Sequence, residues 1–125
     1  MAKITFIKKA KEVGYKIYLY YVATEGPEIN IQRVKNRVDI DGGHNVDPIK
    51  IEKRYYKSLE LLHDAFLICD NVYFWDNSGT EATLFIHSEI MEGKVLWIAP
   101  EGGVPMFPSW WVKYFYKKMD FSKQH

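Results

Sequence analysis

Residues 15–24 read YKIYLYYVAT, an aromatic and β-branched run without clean alternation of apolar and polar positions. Such density is how a strand buried on both faces reads, as in a parallel sheet covered by helices. A second run of the same texture, NVYFWDN at 71–77, lies beyond two helical segments. Strand, helices and strand in that order make a right-handed crossover, which predicts that the two strands are parallel neighbours. The expected fold class is α/β, a parallel sheet flanked by helices.

The segments around these strands carry their own punctuation. Ile4, Phe6, Ile7 and Ala10, interleaved with lysines, predict a short amphipathic helix stopped by Gly14. Gly26-Pro27 opens a second helix, with proline where a missing N–H is harmless; Ile31, Val34 and Val38 share one of its faces, and Arg33 and Arg37 point another way. Asp47 and Pro48 mark the start of a third helix as cap and first residue. Its apolar stripe is Ile51, Tyr55, Leu59, Leu62 and Phe66, and its basic stripe is Lys50, Lys53, Arg54 and Lys57. After residue 82 the texture changes: TLFIHSEI and KVLWIAP flank Met91-Glu92-Gly93 as a hairpin. SWWVKYFYKKM at 109–119 closes the chain's ordered pattern as a helix with Trp111, Phe115 and Met119 on one side. That aromatic helix reads either as the cap of a small core or as a surface for a partner.

With 125 residues the whole span 1–125 is expected to form one domain. The 17 basic and 16 acidic residues leave almost no net charge, which argues against nucleic-acid binding held by bulk charge. Cys69 is the only cysteine, so no internal disulfide forms, and a cytoplasmic location is the expectation. No apolar run approaches the roughly 20 residues that span a bilayer, so no membrane partner is expected.

Candidate site residues cluster around DGGHNVDPIKIEKRYYKS at 41–58. Arg33 and Arg37 suit a phosphate or carboxylate, because paired guanidiniums offer several fixed donors, but from the pair alone a solvated helix face is the commoner reading. The basic stripe of the third helix has the same two readings. Both basic faces flank Gly42-Gly43, so folding of that loop would bring six cations toward one anion, and triphosphates are the kind of anion that convergent cations stabilise. His44 has no second histidine or cysteine at metal spacing, since His63, His87 and His125 are scattered; it reads as loop-fixing or exposed, and no metal site is expected. Asp76, Asn77, Ser78 and Gly79 sit where the second strand ends, the usual ligand side of a parallel sheet, or simply form an Asx turn.

The ordered set YYVATEGPEINIQRVKNRV, GGH-N-V-x-x-x-K-I-x-x-R-Y-x-x-S-L and DNSG resembles the zeta-toxin-like P-loop kinases, the group also described as predicted ABC-type ATPases. The resemblance runs from about residue 4 to residue 79 and extends toward 100. It implies the C-terminal half of a P-loop kinase-like parallel sheet, with the arginine-bearing helix and the helix after GGH forming a lid over a triphosphate. Carried over by position, Arg33, Arg37 and Arg54 would stabilise phosphate and transition-state charge. Gly42, Gly43, His44 and Lys50 would belong to the nucleotide-binding lid, and Asp76, Asn77, Ser78 and Gly79 would lie near the adenine. Active members phosphorylate a sugar hydroxyl of UDP-N-acetylglucosamine, so a small-molecule substrate of that kind is implied.

Two positions depart from the family pattern: Asp47 stands where proline is usual, and Lys53 where arginine is usual, which keeps charge and loses the bidentate fork. A larger departure is that nothing matches G-x-x-x-x-G-K-[ST], since Gly93-Lys94 is followed by valine. Phosphoryl transfer from ATP with Mg is therefore expected only if a P-loop-bearing half is supplied. Otherwise the chain is a noncatalytic nucleotide- or anion-binding module or a protein-interaction module. Half a sheet leaves an edge and apolar faces uncovered, so self-association through the strand at 17–22 or its helices, or pairing with a P-loop partner chain, is expected.

Overall fold

The connection from the second strand to the third is only 77–82, far too short for the crossover that a parallel neighbour requires. That single length makes the sheet mixed. In a computed structural model, which describes residues 2–42, 46–104 and 106–119, the elements follow in the order α1 (Ala2–Glu12), β1 (Tyr18–Ala23), α2 (Pro27–Asp41), α3 (Pro48–Ala65), β2 (Asn71–Asp76), β3 (Thr83–Met91), β4 (Lys94–Ile98) and α4 (Ser109–Tyr114), with a 3-10 turn at Tyr116–Lys118. The four strands lie in the order β1-β2-β3-β4.

β1 and β2 are parallel neighbours as expected, in register from Tyr18 with Asn71 to Ala23 with Asp76. β3 runs antiparallel to β2, and β4 antiparallel to β3. The expected parallel sheet is thus corrected to a mixed α/β sheet, mostly antiparallel, with one parallel pair. The expected hairpin is part of that same sheet. Glu92 and Gly93 take φ of 53° and 79°, two successive left-handed residues that turn β4 tightly back along β3.

The second correction concerns β1 itself. Leu19, Tyr21 and Ala23 point to the covered face, whereas Tyr18, Tyr20 and Val22 are exposed. Tyrosine accounts for the difference, because its ring packs and its hydroxyl stays wet, so tyrosines on both faces erase the alternation a half-buried strand normally shows. The core lies on one face of the sheet only. There α3 inserts Tyr55, Leu59, Leu62 and the following Phe66, α4 and its extension insert Trp110, Trp111 and Phe115, and α1 adds Ile4 and Ile7. Phe6, expected with them, is 74% exposed. The aromatic C-terminal segment is therefore core.

The helix boundaries follow the expected chemistry. Pro27 begins α2, and Gly42 ends it with φ 67°, a left-handed cap whose N–H returns to the Val38 carbonyl at 3.2 Å. The Asp47 side chain accepts from the Ile49 N–H at 2.9 Å, which satisfies one free donor at the start of α3. α2 and α3 lie side by side, and this pairing, beside the C-terminal half of β1, creates the cleft described next.

Candidate anion site

A cleft of about 390 Å³ is walled by α2, α3 and Tyr21–Ala23 of β1. From α2 come Asn30, Arg33 and Arg37, which share a face at helical spacing; from α3 come Arg54 and Ser58, one turn apart. Three guanidiniums therefore line one concavity, and no carboxylate is among its lining residues. The Arg33 guanidinium donates to the Gly79 carbonyl at 2.9 Å, which anchors it to the β2–β3 loop. Arg37 and Arg54 are exposed, and among the described residues neither has a carboxylate at ion-pair distance. Two solvated guanidiniums without an acidic partner, beside a third held in place, leave several charge-bearing donors free for an anion that enters the cleft.

The inner wall of the cleft is made of phenols that stay protonated. The Tyr21 hydroxyl shares a 2.9 Å hydrogen bond with Ser58 Oγ, and the Tyr55 hydroxyl donates to the Thr24 carbonyl at 2.6 Å. Burial pushes Tyr21 up to about 12, partly offset by the Ser58 bond, and burial pushes Tyr55 up as well. Neither phenol is poised to take a proton near neutral pH. The Thr24 hydroxyl lies 2.9 Å from the Gly26 carbonyl and 2.8 Å from Asn30 Oδ1, which fixes the start of α2 against the end of β1.

The loop at 76–79 is engaged elsewhere. Asp76 Oδ1 accepts from Ser78 Oγ at 2.8 Å and from the Trp110 indole at 3.0 Å, while Ser78 Oγ accepts from the Glu25 N–H at 2.8 Å. The Ser109 hydroxyl donates to Glu25, and the Asn77 N–H donates to the Ala23 carbonyl at 2.8 Å. Asp76, Asn77 and Ser78 thus tie β1, β2 and α4 together and do not line the cleft; Gly79 reaches it only through Arg33.

Of the six cations expected to converge, three do. Lys53 and Lys57 line a separate groove with Ile49, Glu52, Tyr56 and Glu60, and Lys57 lies 3.9 Å from Glu60. Lys50, in the first turn of α3, lines neither. Gly42 serves as the α2 cap, and Gly43 and His44 fall outside the described residues. Asn30, Tyr55 and Ser58 are not among the expected site residues, although Tyr55 and Ser58 stand in the R-Y-x-x-S motif with Arg54 and Asn30 lies three positions before Arg33. Among the described residues no group of three His, Cys, Asp or Glu is placed to hold a metal, and no helix is long and apolar enough to cross a membrane. No protein-family model matches this chain, and no characterised protein or solved structure matches it either.

The protonated buried groups carry a pH dependence. Burial also raises the Cys69 thiol, from 9.0 to about 11. An acid whose folded pKa lies above its unfolded value keeps its proton in the fold and loses it on unfolding, so stability is full below the unfolded value and falls above it. For Cys69 that window runs from 9.0 to about 11, and for Tyr21 from 10.0 to about 12. Urea unfolding is expected to show a free energy roughly 3–5 kcal/mol lower near pH 11 than near pH 8. An unchanged midpoint across that interval would contradict the burial of these groups.

Proposed function

We propose that this chain binds phosphate-rich anions, nucleotide phosphates foremost, through Arg33, Arg37 and Arg54, as the lid portion of a zeta-toxin-like kinase. The observation that carries the reading is the cleft itself: three arginines from two helices around one opening, with no carboxylate among its lining residues. It lies beside the C-terminal half of a strand in the parallel pair, the end at which α/β sheets generally bind ligands.

A transferring phosphoryl group spreads charge over its equatorial oxygens, and preorganised cations stabilise that charge. Arg37 and Arg54 would hold those oxygens from opposite walls, and Arg33, fixed by Gly79, would orient the phosphate between them. The cleft's donors fit phosphate and offer nothing to Mg, which, when present, would neutralise phosphate charge from ligands outside this cleft. With no G-x-x-x-x-G-K-[ST] in the sequence, transfer to a hydroxyl, such as that of a UDP-amino sugar, would require a polypeptide segment that supplies one. Neutral Tyr21 and Tyr55 and the lack of a lining carboxylate favour binding without chemistry by these residues alone.

Calorimetric titration with ATP, pyrophosphate and UDP-N-acetylglucosamine tests the reading. ATP and pyrophosphate are expected to bind in the micromolar to millimolar range, more weakly as salt rises, with no ATP turnover. Absence of heat with both phosphates would overturn the anion site, and turnover by this chain would overturn the need for a P-loop.

A further inference from the structure

β1 ends the sheet on one side, and it is an unguarded edge. Its sequence, YLYYVA, holds no charge and no proline, two of the devices that protect an edge strand. The opposite edge, β4, is shorter and begins with Lys94.

The direction of the β1 backbone follows from two hydrogen bonds. The Ile17 carbonyl accepts from Asn71 N–H, and the Ala23 carbonyl accepts from Asn77 N–H, so odd-numbered residues of this stretch face β2. In a parallel ladder the N–H and C=O of a residue point the same way, and successive residues alternate. Tyr18, Tyr20 and Val22 therefore turn their backbone groups to the open edge, and their side chains are 53%, 62% and 49% exposed on the uncovered face. On that face the Tyr20 ring stacks on Tyr73 at 4.8 Å, and Tyr73 stacks on His87 at 3.9 Å.

We propose that two copies of this chain pair through β1, antiparallel about a two-fold axis at Tyr20, to form one eight-stranded sheet. Centring on Tyr20 sets it opposite the other copy's Tyr20 and sets Tyr18 opposite the other copy's Val22. All three residues then exchange N–H and C=O bonds, because their shared parity turns every one of them outward. No like charges meet, since the strand carries none. The row His87–Tyr73–Tyr20 continues into its symmetry mate across the join.

The test combines sedimentation across the micromolar range with amide exchange at the two ends of that range. The expected result is a dimer whose Tyr18, Tyr20 and Val22 amides gain at least tenfold protection as concentration rises, while Leu19 and Tyr21 amides, already bonded to β2, do not. Tyr20→Lys, which opposes two charges at the axis of an exposed position, is expected to weaken the dimer at least tenfold; Tyr20→Phe keeps it. A monomer throughout the range overturns the proposal. A dimer without the alternating protection overturns it too, because the contact would then lie on the sheet face, the helices or another partner surface. Should Tyr20→Lys fail to fold, the exchange pattern of the unsubstituted chain decides alone.

Discussion

Phe74→Ala is expected to lower the unfolding free energy by about 3–5 kcal/mol, the range for emptying a large aromatic site in a packed core. Phe74 is fully buried on β2, and five rings surround it: Phe66, Phe85, Trp97, Trp111 and Phe115, with centroids between 5.1 and 6.2 Å away. These partners come from the end of α3, from β3, from β4 and from the C-terminal segment, so one side chain joins four separate parts of the chain. Collapse around the vacancy is hindered because the neighbours are rigid rings held by different elements. Domains of this kind are stable by only about 5–15 kcal/mol, so the variant is expected to lose a large share of the stability of the fold. Phe74→Leu fills much of the volume and is expected to lose less than half as much. Urea denaturation of the three proteins checks this, and a loss under about 1 kcal/mol for the alanine variant would contradict the placement of Phe74 at the core's centre.

The second large effect is on binding. Arg37→Ala combined with Arg54→Ala is expected to weaken ATP and pyrophosphate at least 100-fold, because a hydrogen bond to a charged group contributes about 1.5–3 kcal/mol and two such groups are removed. Folding should be unaffected, or slightly favoured, since both side chains are exposed and their removal relieves repulsion among like charges. The lysine versions keep charge and lose the planar fork, so they are expected to fall between. Lys53→Ala with Lys57→Ala, in the neighbouring groove, is the control and should change affinity less than threefold. Equal losses from both pairs would mean that diffuse positive charge, not the arginine cleft, holds the anion.

Much of this architecture is written in local chemistry. Pro27, Asp47-Pro48 and Gly93 mark their boundaries because cap and turn positions demand particular backbone angles and donors, which few residues meet. The α3 stripe from Ile51 to Phe66 shows its core face through helical spacing alone. The sheet's mixed direction was also present, in the short connection at 77–82, but the texture of YKIYLYYVAT pointed toward an all-parallel sheet. The open face was hidden because tyrosine reads as apolar and behaves as amphipathic. Phe6 misled for the complementary reason: one aromatic on a lysine-rich helix looks like a core residue, and Ile4 and Ile7 suffice.

The candidate site was legible in part. Arg33 and Arg37 stand out by type and spacing and Arg54 through the family resemblance, and helix pairing brings the three together. What separates Arg54 from Lys53 and Lys57 is rotation about the α3 axis, which sends the lysines to a different groove. Nothing in the stretch itself announced that Asp76 and Ser78 would bind Trp110 and Glu25, since those partners lie more than 30 residues away.

The most direct measurement is heteronuclear NMR of the arginine side-chain N–H and the backbone amide signals during titration with pyrophosphate. The account predicts that Arg33, Arg37 and Arg54 shift together along one binding curve, with Ser58 and Asn30 following and Lys53 and Lys57 largely still. Shifts spread evenly over the lysines, or arginine signals that move with different affinities, would contradict a single anion site between α2 and α3.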